Sequence, residues 1–340
     1  MKVECLKKKL KVSSYFNNIQ LDLTTKSRFI FRLGRDYLNC LTTQNQSKKL
    51  ITPKLKIRFY FNEIKSNNSS SEKDSQGPVW ANINRDKLYL DSFTKSSGLS
   101  VDTKKNIVRG YITPFHQLSE DIFLERFFFQ PLSFILRHKG LFFIHAACVS
   151  KTQKGILIPG RMGSGKSTFT ISLVRQGFNF LSEDKSILRK IGNDIYALAF
   201  PRKAGIIKKT ARFFPELKSV EFKFDQARRE EKGRFIMQEF YPQSLLDSAK
   251  IRLIIFPHFQ TNGRTKIKPL SKKEALQKFI QDTDNFAFYN KDSLPKIYRQ
   301  YFAVLTSLVQ QAVTYQIFYS DKDIDCLSQI VNSLLISNEK

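Results

Sequence analysis

The segment 160–168 reads Gly160-Arg161-Met162-Gly163-Ser164-Gly165-Lys166-Ser167-Thr168 and satisfies the pattern G-x-x-x-x-G-K-[ST]. The apolar run 156–158 precedes it and predicts a short buried strand. Residues 168–176 follow it and predict a helix with Phe169, Leu173 and Val174 facing inward. This strand, loop and helix order is what a phosphate-binding loop requires.

The residue types in this segment suit an anion. Glycines at 160, 163 and 165 allow the backbone to turn so that successive N–H groups converge, and the following helix adds the partial positive charge of its N-terminus. We expect Lys166 to reach the β- and γ-phosphates and the Ser167 hydroxyl to complete the shell of a magnesium ion. A plain helix cap is the alternative interpretation, which the flanking strand and helix disfavour. Nucleotide phosphate binding by residues 160–168 is therefore the firmest prediction.

The composition favours anionic partners. The 340 residues are enough for two domain cores, or for one large α/β domain with an appendage, and 41% of them are apolar. Lys and Arg number 57 against 30 Asp and Glu, a formal net charge of +27. Such a charge favours nucleotides, an acidic protein, nucleic acid or an anionic membrane surface, unless the lysines are simply solvated surface. The basic residues are dispersed, so nucleic-acid binding is a minor hypothesis.

The cysteines and the termini indicate the compartment. The four cysteines, Cys5, Cys40, Cys148 and Cys326, lie far apart without zinc-site spacing, and we expect buried thiols in a reducing compartment. The N-terminus has no uninterrupted apolar segment, and charged residues interrupt the most apolar stretch, 123–147. We therefore expect neither a signal peptide nor a membrane span, which favours a cytoplasmic protein.

Residues 1–115 are predicted to form a β-rich N-terminal region of unknown role, ahead of a domain at 116–340. Candidate strands are 28–33, 56–62, 87–90 and 107–112, with a mobile polar loop at 66–78. Trp80 and His116 are more typical of structural positions than of catalytic ones.

The segments around the loop motif contain further candidate site residues. Residues 120–137 predict a helical segment kinked or split at Pro131. The run 141–149 predicts a strand that a polar turn at 150–154 folds back towards the loop, which would bring His145 near the phosphates. Strand 178–181 follows the loop helix and leads into Glu183 and Asp184. One of these carboxylates would suit magnesium and the other a proton; an acidic turn without a role is the alternative.

The rest of the chain predicts an α/β domain. We expect a hairpin of strands 186–191 and 195–200, a basic irregular segment at 201–234, and a central strand at 251–256. Capping boxes at Ser271–Glu274 and Ser320–Asp323 predict helices towards residues 281 and 335, with a helix at 294–311 and a strand at 314–319 between them.

Three segments together resemble the HPr kinase/phosphorylase family: His145-Ala-Ala-Cys-Val, the loop 160–167 and Gly177-Phe-Asn-Phe-Leu-Ser-Glu183-Asp184. That family shares a phosphate-loop fold with the ATP-dependent phosphoenolpyruvate carboxykinases. The resemblance is specific over about residues 140–200. It implies an α/β P-loop domain that binds ATP and Mg²⁺, and it implies oligomers. By this resemblance Lys166 and His145 lie in the active site, Ser167 and Glu183 serve the metal, and Asp184 takes the proton from a substrate serine.

This chain departs from the family at two places. Glu183-Asp184 stands where the family usually has Asp-Asp, and the Glu-x-Arg-Gly signature of HPr kinases is not found downstream, where residues 200–203 read Phe-Pro-Arg-Lys. These departures argue against a phosphorylase activity and against HPr as the substrate.

The leading hypothesis is an ATP- and Mg²⁺-dependent kinase that phosphorylates a hydroxyl, in the first place a Ser of a protein or peptide. A small-molecule kinase and a nucleotide sensor without phosphoryl transfer are alternatives. A nucleic-acid-dependent NTPase ranks third, because no helicase or RNA-binding motif is found.

Overall fold

The computed structural model describes residues 9–42, 52, 54–63, 80–84, 87–91, 97–112, 123–225, 229–282 and 295–337. The described residues form two compact units. The first contains those up to Gly140 together with 295–298, and the second contains those from Leu141 to 282 and from Arg299 onward. The predicted loop 66–78, His116 and Cys5 lie outside the described residues. Division of the sequence into domains at residue 115 stays a prediction.

The first unit is built on a seven-stranded sheet in the order β1-β2-β3-β7-β6-β5-β4. Its strands are β1 Leu10–Phe16, β2 Ile19–Thr25, β3 Leu55–Glu63, β4 Trp80–Asn84, β5 Lys87–Asp91, β6 Ser97–Asp102 and β7 Ile107–Ile112. β3 is parallel to β2 and to β7, and the other pairs are antiparallel. Three predicted strands, 56–62, 87–90 and 107–112, are thereby confirmed.

The prediction of a strand at 28–33 is wrong, because these residues begin helix α1, Arg28–Leu41. The Ser27 side chain accepts a hydrogen bond from Ile30 N at 3.3 Å and caps the helix. The buried side chains recur at helical spacing: Ile30, Leu33, Tyr37, Leu38 and Leu41. A short apolar run therefore belongs to a longer amphipathic helix whose cap and period outweigh the local strand preference.

The helical segment predicted around Pro131 is confirmed from residue 123 onward. A π-helical turn, Leu124–Phe129, leads without a break into helix α2, Gln130–Arg137, and Gln130 N donates to Glu125 O. Pro131, which has no N–H to donate, follows directly after the π-helical turn. The Phe128 ring stacks on Phe59 with centroids 5.3 Å apart and lies 5.5 Å from Phe61. The segment that leads into α2 thus packs its aromatic rings against β3 of the first sheet.

The second unit is built on a nine-stranded sheet with the path β11-β9-β10-β17-β13-β12-β8, to which β19 and β18 are added. The strands are β8 Leu141–Ile144, β9 Ala146–Lys151, β10 Lys154–Pro159, β11 Asn179–Ser182, β12 Ser186–Ile191, β13 Asp194–Leu198, β17 Ser248–Phe259, β18 Lys266–Pro269 and β19 Val313–Tyr319. β17 is parallel to β10 on one edge and to β19 on the other, so the predicted central position of 251–256 is confirmed.

The predicted single strand at 141–149 is instead two strands that meet at His145. Ile144 pairs with Ser186 on β12, whereas Ala146 pairs with Pro159 on β10. The chain changes partner strand between them, which breaks the ladder at one residue. The predicted hairpins that join β9 to β10 and β12 to β13 are both confirmed.

The helices of the second unit follow the predictions closely. Helix α3, Lys166–Arg175, follows β10, and the C-terminal helices are α6 Lys272–Asp282, α7 Pro295–Gln311 and α8 Leu327–Ser337. α7 belongs to this unit from Arg299 onward. Both predicted capping boxes form, with Glu274 accepting from Ser271 N at 2.9 Å and Asp323 from Ser320 N at 2.7 Å. Ser320 opens a 3-10 helix, Asp321–Cys326, that leads into α8.

Residues 201–234, expected to be irregular, contain a three-stranded antiparallel sheet in the order β14-β16-β15, which we call the small sheet. The strands are β14 Ala204–Ile207, β15 Phe222–Asp225 and β16 Glu230–Phe235; helix α4, Lys208–Ala211, follows β14, and helix α5, Met237–Phe240, follows β16. Ala204, Ile206 and Phe235 belong to the same buried cluster as Phe169 of α3. Burial against α3 holds these short strands, and local sequence patterns do not report such burial.

The cysteines differ from expectation in one respect. Cys40 and Cys148 are buried and free as expected, but Cys326 is free and exposed. It ends the 3-10 helix, whose buried residue is Ile324. Within the described ranges, no helix combines the length and the apolar composition needed to cross a membrane.

Candidate functional site

The glycine-rich loop between β10 and α3 is held from beneath by two neighbouring strands. Gly163 and Gly165 have φ of 83° and 88°, in the left-handed region that favours glycine. The Tyr319 hydroxyl, at the end of β19, donates to Gly165 O at 2.7 Å, and Phe259 N, at the end of β17, donates to Ser164 O at 3.0 Å. A Cβ at 165 would lie 2.8 Å from Phe259 Cβ, so only glycine permits this approach.

Helix α3 begins at the loop and brings two predicted residues into the site. Phe169 N donates to Gly165 O at 2.9 Å, which starts the helical ladder and leaves the earlier N–H groups without intrahelical acceptors. Lys166 is 7% exposed and Phe169 is fully buried. The fixed position of the helix therefore fixes Lys166 and Ser167 as well.

The acidic turn between β11 and β12 lies beside these residues. Ser182 and Ser186, at the two ends of the turn, are fully buried and share a hydrogen bond of 2.6 Å. Ser186 Oγ also donates to Ala146 O at 2.8 Å, immediately after His145. This short network ties the turn to the break between β8 and β9.

The side chains of the turn meet those of the helix. Asp184 Oδ1 lies 3.0 Å from Lys166 Nζ and 3.1 Å from His145 Nε2. The Ser167 hydroxyl donates to Glu183 Oε1 at 2.5 Å. The structure thus brings together all five residues that were predicted outside the glycine-rich backbone: Lys166, Ser167, His145, Glu183 and Asp184.

The two carboxyl groups differ in their electrostatics. Loss of surrounding water raises the pKa of Glu183 and the charge of Asp184 raises it further, against the opposing effects of Lys166, Ser167 and Lys232. Loss of surrounding water also acts to raise the pKa of Asp184. The charges of Lys166 and His145, with a smaller contribution from Lys185, outweigh that effect and lower the pKa well below 3.8. Asp184 is therefore ionised at neutral pH, whereas Glu183 holds a proton more readily.

The remaining loop residues occupy distinct positions. Met162 is 71% exposed, and Arg161 donates to Gln281 O at 2.9 Å, near the end of α6. Ser164 Oγ is buried and has no hydrogen-bond partner within the described ranges. Thr168 is buried on α3, and a side chain on Gly160 would collide with Ser164 Oγ.

Sequence reasoning missed Tyr319, which supports the loop from a strand 154 positions away. The strand prediction at 314–319 placed Tyr319 at a strand end, but no local pattern indicated its partner. Lys232, one of several basic residues in the segment expected to be irregular, opposes the raised pKa of Glu183 through its charge.

The residues present suit a nucleotide with magnesium. The orphaned Ser164 hydroxyl, the left-handed glycines and the α3 N-terminus offer donors to phosphate oxygens. Ser167 and Glu183 offer a hydroxyl and a carboxylate, and Mg²⁺ is commonly bound by one or two such protein oxygens together with phosphates and water. Over the described part of the chain, no group of three or more His, Cys, Asp or Glu is arranged to hold a metal by itself.

Similarity to known proteins is found among solved structures. No protein-family model matches the chain, and no curated protein matches it. Among solved structures it is similar to the HPr(Ser) kinase/phosphatase from Coxiella burnetii, at 10% sequence identity and a TM-score of 0.30, over 58% of this chain and 99% of that chain.

Proposed function

We propose that this protein is an ATP- and Mg²⁺-dependent kinase that transfers the γ-phosphate to a hydroxyl, in the first place a Ser of a protein or peptide. The observation that carries the proposal is the shared contact of Asp184 Oδ1 with Lys166 Nζ and His145 Nε2, at the N-terminus of the helix that follows the glycine-rich loop. Phosphoryl transfer needs a phosphate cradle, positive charge and a nearby carboxylate, and this arrangement supplies all three.

Each side chain has a role in this mechanism. The loop N–H groups and Lys166 would bind the β- and γ-phosphates, and His145 would orient Asp184 through the 3.1 Å contact. Ser167 and Glu183 are the residues that would hold magnesium, which supplies charge neutralisation at the phosphates when bound.

The transfer step conserves atoms and charge. The acceptor oxygen forms a bond to the γ-phosphorus while the bond from that phosphorus to the β–γ bridging oxygen breaks, and ADP leaves with the bonding electrons. The proton of the acceptor hydroxyl passes to the Asp184 carboxylate, which is ionised at neutral pH.

A second candidate function is nucleotide sensing without transfer. The observation that favours it is the strongly lowered pKa of Asp184, because a carboxylate held by Lys166 and His145 is a weak base. On this alternative, nucleotide binding would change the site while no acceptor is phosphorylated.

The test uses ATP labelled at the γ-phosphate, magnesium and a lysate of the source organism. We expect wild type to label a discrete acceptor, Asp184→Asn to lower the labelling by about 100-fold or more while still binding MgADP, and Lys166→Ala to lose both labelling and binding. Asp194→Asn is the matched control, because Asp194 also pairs with a lysine, Lys250, at 2.6 Å, but begins β13 at the far end of the β12–β13 hairpin. Binding of MgADP without labelling by wild type would favour the sensor.

A further inference from the structure

The carboxyl ends of β10, β17 and β19 lie side by side at the candidate site. β10 is parallel to β17, and β17 is parallel to β19. The glycine-rich loop follows the carboxyl end of β10, and the last residues of the other two strands support it through Phe259 N and the Tyr319 hydroxyl. Ligands of open α/β sheets bind beyond the carboxyl ends of such strands. A ligand on the loop can therefore also contact the ends of β17 and β19.

His258 and Phe318 directly precede those two supporting residues and form an aromatic pair. They pair with each other across β17 and β19, and their ring centroids lie 5.1 Å apart. Successive side chains of a strand point to opposite faces, so this pair lies on the face opposite Phe259 and Tyr319. His258 is exposed and Phe318 is half-buried. The pair thus presents ring surface to solvent at the end of the sheet where the loop lies.

The backbone at His258 is held close to the loop by its two neighbours. A Cβ at Gly160 would lie 3.8 Å from Pro257 Cδ, and a Cβ at Gly165 would lie 2.8 Å from Phe259 Cβ. Pro257 and Phe259 flank His258 in the chain. His258 therefore lies between two residues that both approach the loop.

Helix α6 covers the earlier part of this face and leaves its end open. Phe256, two residues before His258 and on the same face, is buried and packs against Phe279 of α6 with ring centroids 5.2 Å apart. His258 is exposed instead. The His258 ring is therefore not part of the layer that α6 buries, although it continues the same row of side chains.

The order of the strands gives a nucleotide on this loop a direction. The sheet path runs β11-β9-β10-β17, and β19 pairs with β17. Asp184 follows β11 and His145 precedes β9, so the groups proposed for phosphoryl transfer lie on one side of β10. The aromatic pair lies on the other side. A nucleotide whose γ-phosphate is at Asp184 therefore extends its nucleoside towards His258 and Phe318.

We propose that His258 and Phe318 form a stacking platform for the base of the bound nucleotide. This inference rests on the proposed kinase function, and it assigns residues that bind the base rather than the phosphates. Imidazole and phenyl rings stack on nucleobases, and each such contact adds affinity that a bare phosphate chain cannot gain. The platform therefore makes the site bind a nucleotide more tightly than the corresponding polyphosphate.

The test compares a ligand that carries a base with one that does not. Affinities of the full chain for MgADP and for magnesium tripolyphosphate are measured by calorimetry, and weak tripolyphosphate binding is measured by competition against MgADP. We expect His258→Ala and Phe318→Ala each to weaken MgADP binding by about 5- to 100-fold, the range for one base stacked on an aromatic ring, and to change tripolyphosphate binding by about twofold or less. His258→Phe should keep the MgADP affinity, because it keeps a ring.

Phe224→Ala is the matched control for the loss of an aromatic ring. Phe224 is 64% exposed and lies on β15 of the small sheet, so its removal should leave both affinities within about twofold. Thermal unfolding of each variant, followed by circular dichroism, checks that the fold is retained.

A second measurement observes the platform in the wild-type protein. The chain has four histidines, so carbon-13 labelling of histidine gives a simple NMR spectrum in which the His258 signal is the one lost in His258→Phe. A base stacked on His258 shifts this signal through the ring current of the base. We expect MgADP to shift the His258 signal and magnesium tripolyphosphate to leave it unchanged, whereas His145, at the phosphate side, should respond to both.

The outcomes distinguish the two proposals. Failure of wild type to bind MgADP would overturn the kinase function, and the inference with it. Normal MgADP affinity in both His258→Ala and Phe318→Ala, or an unshifted His258 signal in the MgADP complex, would overturn the inference alone. Equal losses for MgADP and tripolyphosphate would also overturn it, because the rings would then act by supporting the loop.

Discussion

The loop side of the candidate site, residues 160–169, is fixed by burial, whereas the carboxylate side, residues 182–186, leaves the Asp184 side chain partly exposed to solvent. On the loop side Lys166 is 7% exposed, and it is the first residue of α3, which carries the fully buried Phe169. On the carboxylate side the Asp184 side chain is 46% exposed, although the serines at the ends of its turn are fully buried. The backbone is thus anchored on both sides, but Lys166 of the loop side is buried whereas Asp184 of the carboxylate side is partly exposed.

The difference has a physical consequence. Groups that hold a phosphate act best when their positions do not change during the reaction, and burial provides that fixity. Groups that contact the acceptor hydroxyl must be accessible to the substrate that carries it. We therefore expect substitutions on the loop side to alter stability and nucleotide affinity together, and substitutions on the carboxylate side to alter transfer with little change in stability.

The largest expected effect is that of Phe169→Ala on stability. The Phe169 ring is fully buried and contacts Tyr319 edge-on, with centroids 5.4 Å apart. Its removal leaves a cavity beneath the loop, and we expect the free energy of unfolding to fall by about 3–5 kcal/mol, measured by urea denaturation.

Phe224→Ala is the matched control for that measurement. The same side chain on β15 is 64% exposed, so its loss should change the free energy of unfolding by about 0.5 kcal/mol or less. Similar losses in the two variants would contradict the claim that burial of Phe169 anchors the loop side.

The loop side was also the part most accessible to prediction. The glycines, Lys166 and Ser167 are contiguous, and the strand, turn and helix that present them have local signals. The positions of Glu183 and Asp184 followed because a short strand with clear turn signals leads into them. Hairpins and capping boxes were predictable for the same reason, since each is defined within a few residues.

Features that depend on distant partners were not predictable. Helix α1 is a different case, because its signals are local: the run 28–33 alone favours a strand, whereas the cap at Ser27 and the apolar residues as far as Leu41 specify a helix. The small sheet was missed because its strands are four to six residues long and are held by burial against α3. Tyr319 was not predicted as a site residue because no local sequence pattern indicates that its hydroxyl donates to Gly165 O.

A smaller effect is expected for Tyr319→Phe. The substitution keeps the ring but removes the hydroxyl that donates to Gly165 O at 2.7 Å, so a loop carbonyl loses its donor. We expect a loss of about 1 kcal/mol in the free energy of unfolding and an approximately fivefold weaker affinity for MgADP by calorimetry. Tyr60→Phe, on β3 of the first unit, is the control and should leave MgADP affinity unchanged. Unchanged affinity in Tyr319→Phe would mean that the loop keeps its shape without this bond.

The smallest effect is expected for Lys185→Ala, on the carboxylate side. Lys185 acts on Asp184 through its charge and is a lesser contributor to the lowered pKa of that group. A group whose pKa is lowered by folding stabilises the fold at pH values above its unfolded pKa, and this stabilisation is lost as the pH falls through its folded pKa. Any cost of the variant should therefore be present at pH 7 and absent in strong acid. Partly exposed charges interact weakly, and we expect the free energy of unfolding at pH 7 to fall by about 0.5 kcal/mol or less.

Lys209→Ala, which removes an exposed lysine of α4, controls for the loss of one positive charge. A loss above about 1 kcal/mol for Lys185→Ala alone would show that the carboxylate side, like the loop side, has its charged side chains tied to the core.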